Sequence, residues 1–380
     1  MQANNMLFFV SILGWFLIGC ASDDDPASRQ DLSLRMNEIQ VLGTHNSYHI
    51  RPRDSILDTL ASLVDQETAD SLEYTALPLQ EQFDQGVRQI ELDIFADPDG
   101  GLYATRRALI VVDEDPVSGI PELNAPGLKV LHVQDLDFET HCLTFKACLE
   151  TLKEWSDANP DHLPIVVMVE AKEEALDNPL AITLEFTVPL EFGPEEVAGI
   201  DDEILAVFPP AQLITPDDVR GDYDTLENAV LDGGWLTLAE ARGRIMFAFL
   251  NTGTARDHYV GGHPSLRGRM MFTNSDEGQP EAAWFNVNNA LNDGDRIRDL
   301  VAAGYMVRTR ADEDTQQARE GDYSLQEAAF ASGGHTVSTD YVVPNADFGT
   351  GYSAAVPGGY VGRCNPISAP PDCDSSLIRP

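Results

Sequence analysis

Apolar and β-branched residues gather in short runs at residues 39–43, 87–95, 129–133, 164–170, 244–250, 269–273, 305–309 and 335–339. Bounded runs of this kind predict buried strands, since helices need longer patterns. Between several of them the period lengthens to that of a helix. Phe145, Leu149, Leu152 and Trp155 fall on one helical face, as do Ile297, Leu300 and Val301 in a segment that stops at Gly304. Strands alternating with helices in this way predict an α/β fold of the (β/α)8 TIM-barrel type, distorted by long βα insertions. An open α/β sheet is the alternative that the same pattern allows.

Two segments interrupt the regular spacing, residues 97–128 and residues 173–243. The second is acidic and punctuated by proline, as in Phe208-Pro209-Pro210 and Thr215-Pro216-Asp217-Asp218. In a barrel such connections surround the active face, so both are expected to shape access to it. The barrel is expected over 37–345, followed by a Gly- and Pro-rich segment, 346–380, that wraps the surface.

Polar groups mark the ends of four of the runs. They are Gly43-Thr44-His45-Asn46-Ser47-Tyr48-His49, Glu91-Leu92-Asp93, Leu131-His132 and Glu170-Ala171-Lys172. Strand side chains alternate faces, so Glu91 and Asp93 point the same way, and so do Glu170 and Lys172. Glu91, Asp93 and Glu170, with the carbonyl of Asn46, form an all-oxygen ligand set suited to Ca²⁺ and less to Mg²⁺. A cation explains why three carboxylates that repel one another would converge. His45 and His132, from separate strand ends, suit paired acid and base work near neutral pH. Lys172, Arg308 and Arg310 are candidates for contact with an anion. The plainer readings are a salt bridge from Lys172 to Glu170, and pairing of the arginines with Asp312 or Glu313. The remaining histidines, at 49, 141, 162, 258, 263 and 335, are read as structural. No Gly-x-Ser-x-Gly, phosphate-cradling glycine loop or dinucleotide fingerprint is present. A cation with two histidines and no covalent nucleophile points to phosphodiester cleavage.

Charge narrows the partners. The 63 acidic residues against 24 basic ones give a net charge of −39, which excludes nucleic acid and opposes long-range attraction to anionic lipid. At the N-terminus, Met6 to Ile18 is uncharged and too short for a spanning helix, so residues 1–19 read as a signal peptide. Leu17-Ile18-Gly19-Cys20 resembles a bacterial lipobox, which makes Cys20 the expected lipidation site and residues 20–36 an acidic, flexible tether. Ala21 favours the outer membrane over the inner one, and without lipidation the chain would be secreted or periplasmic. Setting Cys20 aside leaves Cys142, Cys148, Cys364 and Cys373, which group as two local pairs fit for an oxidising compartment. The first pair requires Cys142 to lie outside the helix that follows, because six residues of helix span about 9 Å. Free buried cysteines are the alternative.

At these residues the chain resembles the bacterial, calcium-dependent phosphoinositide phospholipase C family. The His45-Asn46-Ser47-Tyr48 turn is similar to that family's first catalytic histidine and adjoining metal ligand. Gly86 to Asp93 resembles its second strand with two acidic ligands, Pro164 to Lys172 its fourth strand with the third, and His132 its second catalytic histidine. The resemblance extends from Gly304 to Asp312 through Ser338 to Tyr341. It implies an enzyme that cleaves phosphatidylinositol-type lipids with Ca²⁺, His45 acting as base or stabilising the phosphorane and His132 as acid; a monomer is expected, held at a membrane by the lipobox anchor. Glu170-Ala171-Lys172 also resembles the Glu-x-Lys of glycerophosphodiester phosphodiesterases, which act on soluble head-group diesters. The His-Arg-Gly of those enzymes is absent at His45. A ligand-binding lipoprotein without activity is the third reading.

Overall fold

The computed structural model describes residues 25–176 and 185–380. Among them are eleven strands: β1 (Ile39–Thr44), β2 (Gln89–Phe95), β3 (Lys129–Val130), β4 (Ile165–Ala171), β5 (Leu213–Ile214), β6 (Ile245–Phe249), β7 (Met271–Thr273), β8 (Trp284–Asn286), β9 (Met306–Arg310), β10 (Thr336–Thr339) and β11 (Gly362–Cys364). Eight of these run parallel in the order β1-β2-β4-β6-β7-β8-β9-β10, and β10 returns to β1. The step from β7 to β8 is a single bridge, Asn274 to Trp284. This is the expected TIM-type barrel, distorted at that seam.

One expected strand needs correction, and one barrel strand was not expected. The run at 129–133 contributes β3, two residues long and antiparallel to Ile94 and Phe95, so it extends the rim of β2 and is not a barrel strand. Its apolar character reflects loop packing, with Val130 and Leu131 buried beside β2. The eighth strand is β8 instead. Trp284-Phe285-Asn286 is too short to stand out in sequence, and no helix separates it from β7. The long insertion after β4 carries the helix Pro194–Val207 and the short β5, which lies on the edge of β6.

Helices cover the outside as the periodicity requires. Phe145–Ala158 buries Phe145, Leu149, Leu152 and Trp155, and the Thr144 side chain caps its first turn. Ala290–Ala303 buries Ile297, Leu300 and Val301 and ends at Gly304, whose φ of 108° suits glycine. Cys142 lies ahead of its helix and bonds Cys148 with Cα atoms 5.4 Å apart; Cys364 bonds Cys373 at 6.1 Å. Two disulfides of this kind mark a protein made for an oxidising, exported setting. No helix among the described residues is long and apolar enough to cross a membrane.

The termini are more structured than composition suggests. Cys20 and the signal segment lie outside the described residues. Residues 25–36, expected as flexible tether, form the helix Pro26–Asp31 and bury Leu34 and Met36. Arg242 clamps buried Asp31 at 2.7 Å. These few apolar and paired residues outweigh a polar composition. At the other end β11 pairs antiparallel with β1, and Ile378 is buried.

Inside the barrel the side chains are polar. Glu91 on β2 reaches Arg308 on β9 at 2.8 Å, although β1 and β10 lie between them in the sheet, so the contact crosses the interior. Gln89 accepts from Ser338 Oγ at 2.6 Å and donates to the Thr44 carbonyl at 3.0 Å. Strands β1 and β2 pair at one position, Gly43 opposite Gln89. A methyl group on Gly43 would overlap the Gln89 carboxamide, its carbon 2.7 Å from Cδ. Gly43→Ala is therefore expected to destabilise the protein by about 1–3 kcal/mol through overpacking, measured by urea unfolding. An unchanged midpoint would show that the seam yields freely.

Candidate active site

The carboxylates converge because of strand register. Alternation along β2 turns Gln89, Glu91 and Asp93 to the interior, and β4 sets Glu170 directly opposite Asp93. Carboxylate oxygens of Glu91, Asp93 and Glu170 all lie within 4.8 Å of one another. Asp93 is fully buried, and neither of its oxygens has a hydrogen-bond partner among the described residues. Lys172 Nζ lies 3.3 Å from Asp93 and 3.4 Å from Glu170. Burial pushes the Glu91 carboxyl up to about 7; Arg308 opposes this and the charge of Asp93 adds to it. Burial, then Asp93, also raises Glu170. A buried carboxylate with no hydrogen bond and one shared lysine, beside two other carboxylates, fits a hard cation, whose charge would relieve this repulsion.

Asn46 stands next to this group. Ser47 donates its backbone N–H to the Glu91 carbonyl at 3.0 Å and accepts the Glu91 N–H on Oγ at 2.8 Å. Asn46 takes a left-handed φ of 40°, which asparagine tolerates. Its Nδ2 donates to the Tyr74 hydroxyl at 3.0 Å, leaving Oδ1 as the atom for a cation.

The two histidines sit in opposed surroundings. His45 Nδ1 pairs with Asp340 at 2.9 Å, and Arg310 holds the other oxygen of Asp340 at 3.1 Å. Burial drives His45 well below its ordinary pKa, with help from Arg310 and Arg308, which favours the neutral ring. His132 lies in the loop after β3, not at a barrel strand end as expected. There a tight turn through Asp135 (φ 66°) brings Asp137 back to it. Burial works against a charged His132, but the hydrogen bond and charge of Asp137, with Asp93 behind them, raise its pKa overall. The side chains keep 20% and 21% of their surface exposed, so a substrate can reach both rings. One ring shifted toward its neutral form and one toward its protonated form are suited to proton transfer in both directions.

The three candidate anion-binding residues differ in placement. Arg308 is enclosed, with donors directed to Ser338, Asn286, Asn288 and Glu91. Arg310 is held by Asp340. Neither pairs with Asp312 or Glu313, because both side chains point into the barrel. Lys172 alone of the three lines the main cavity, about 590 Å³, together with His132, Gln134, Glu170 and Asn251.

Sequence reasoning passed over Asp340, Asp137 and His49. Asp340 follows the 335–339 run just as Asp93 ends its own, so the strand-end rule was able to find it. Asp137 sits in an irregular loop with no motif around it. His49, read as structural, bonds Asp137 at 2.7 Å.

The model of the family described as "Phosphoinositide phospholipase C, Ca²⁺-dependent" matches residues 34–366. The chain belongs to this family. Among solved structures it is similar to the calcium-dependent phosphoinositol-specific phospholipase C of a Gram-negative Pseudomonas species, apo form. That match has 15% identity and a TM-score of 0.52, covering 90% of this chain and 97% of the other. The Ca²⁺-dependent phosphatidylinositol-specific phospholipase C of Streptomyces antibioticus gives 16% identity, a TM-score of 0.50, and coverage of 81% and 95%. At such identities the structural likeness establishes the fold. No curated sequence matches.

As a member of this phospholipase C family the protein is expected to show calcium-dependent stability with a definite pH course. Glu91 rises from its ordinary 4.5 to about 7 in the cation-free fold, so the folded state binds the extra proton and loses stability as pH climbs through that window. A cation competes with that proton. The difference in melting temperature between calcium and chelator should grow from pH 5 to 7 and then level off. Asp93→Asn should abolish the calcium-induced rise, which is about 2.7 kcal/mol at a hundred times Kd. A calcium effect that persists in Asp93→Asn would remove Asp93 from the ligand set.

Proposed function

We propose that the protein is a calcium-dependent phosphodiesterase that cleaves phosphatidylinositol-type lipids to diacylglycerol and an inositol phosphate. The observation that carries this reading is the placement of two partly exposed histidines, His45 paired with Asp340 and His132 paired with Asp137, beside the Glu91, Asp93 and Glu170 cluster. Glu91, Asp93, Glu170 and Asn46 would hold Ca²⁺. When bound, the ion would polarise the phosphoryl group and lower the pKa of a nearby hydroxyl.

His45 takes the proton from the inositol 2-hydroxyl as that oxygen attacks phosphorus, and Asp340 steadies the imidazolium that forms. The bond from phosphorus to the glycerol oxygen breaks, and His132 Nε2 supplies the proton that releases diacylglycerol. The immediate product is a cyclic inositol phosphate. Lys172 contacts a phosphate oxygen from the cavity wall; Arg308 and Arg310 act from behind, through Glu91 and Asp340. Anchoring through Cys20 would keep this acidic protein near a membrane that its charge otherwise opposes.

Activity on phosphatidylinositol in mixed micelles, with calcium and with excess chelator, tests the reading. Chelation should abolish turnover, and His45→Ala or His132→Ala should each lower kcat by about a hundredfold or more. Full activity in chelator, or in His45→Ala, would sink the mechanism. Turnover of glycerophosphoinositol with none on the intact lipid would instead select the head-group phosphodiesterase.

A further inference from the structure

Asp137 and His49 contact no reacting atom in the scheme above, yet both are completely buried next to His132. Asp137 Oδ2 accepts two hydrogen bonds, from His132 Nδ1 and from His49 Nε2, each at 2.7 Å. Its other oxygen has no partner among the described residues. The whole pairing capacity of a buried carboxylate is thus concentrated on two imidazoles, which cross edge to face at 5.6 Å.

The surrounding backbone fixes both neighbours of His132. His132 N and Val133 N donate to the Asp137 carbonyl at 3.2 and 2.9 Å, and Asp137 N returns a bond to the Val133 carbonyl at 2.9 Å. The stretch around His49 is laced to the residues beyond Asp137: Ile50 N bonds the Glu139 carbonyl at 3.2 Å, and His141 N bonds that of Tyr48 at 2.8 Å. The His49 ring stacks on Tyr74 at 4.2 Å, and the Tyr74 hydroxyl accepts from Asn46. An imidazole tethered at Nδ1 cannot turn about its ring axis without breaking that bond. With Nδ1 committed, Nε2 is the nitrogen that remains to face the cavity.

We propose that Asp137, locked in turn by His49, is the positioning residue that presents His132 Nε2 to the leaving oxygen. This inference rests on the phospholipase C reading. Asp137 and His49 then act on one half of the reaction, departure of the alcohol, and not on attack by the ring hydroxyl. A merely structural carboxylate would affect both halves alike.

The leaving group separates these roles. Two substrates are compared: phosphatidylinositol, whose glycerol oxygen needs a proton, and inositol p-nitrophenyl phosphate, whose phenolate leaves without one. Asp137→Ala should lower kcat on the lipid about a hundredfold with little change in KM, but by less than about tenfold on the nitrophenyl ester. Asp137→Asn, which keeps an acceptor in place, should recover part of the lost rate. His49→Leu should show a smaller loss with the same preference, and it carries the test if thermal denaturation shows Asp137→Ala unfolded. Equal losses on both substrates would overturn the proposal. His132→Ala serves as the reference: full lipid turnover in that variant would defeat the phospholipase mechanism itself, a different outcome from failure of Asp137 alone.

Discussion

Negative charge gathered inside the barrel is the constraint on which the rest of this structure depends. At separations under 4.8 Å, each pair among Glu91, Asp93 and Glu170 repels by roughly 3 kcal/mol or more at an effective dielectric of about 20. The fold answers with Arg308 on Glu91 and Lys172 between Asp93 and Glu170. Two cations stand against three carboxylates, of which Glu91 and Asp93 are buried and Glu170 partly exposed, and Asp93 has Lys172 nearby but no hydrogen bond among the described residues. A bound cation would complete the balance. Hydrophobic helices outside the barrel supply the packing that tolerates such an interior.

The same charges set the two histidines apart. Burial does most to disfavour a charged His45; Arg310, and then Arg308, which also neutralises Glu91, push the same way. His132 is buried too, but the hydrogen bond and charge of Asp137, followed by the charge of Asp93, shift it the opposite way. The opposed shifts of the two rings therefore arise from burial, the charges of the barrel and the carboxylate beside His132 together. The local partners, Asp340 for His45 and Asp137 for His132, refine orientation within that field.

How far this was legible depended on the range of the interactions. Alternation along β2 and β4 put Glu91, Asp93, Glu170 and Lys172 on shared faces from local pattern alone. Helical periodicity placed Phe145, Leu149, Leu152 and Trp155 correctly for the same reason. The run at 129–133 misled, because loop residues packed under a rim are as apolar as a barrel strand. Trp284 to Asn286 escaped notice because three residues carry too little pattern to mark a strand.

Sequence by itself determined the covalent and periodic facts: which residues can share a face, where helices stop, which cysteines lie close enough to pair, and that acids outnumber bases by 39. Those follow from backbone geometry over a few neighbouring residues. Only the tertiary structure decided that Arg308 would be spent on Glu91, that Lys172 would face the cavity, and that Asp137 would serve His132 and His49 together. Glu91 and Arg308 lie 217 positions apart, and their contact exists because the sheet closes on itself. Closure brings distant side chains across one interior, and a linear chain carries no local trace of which of them will meet.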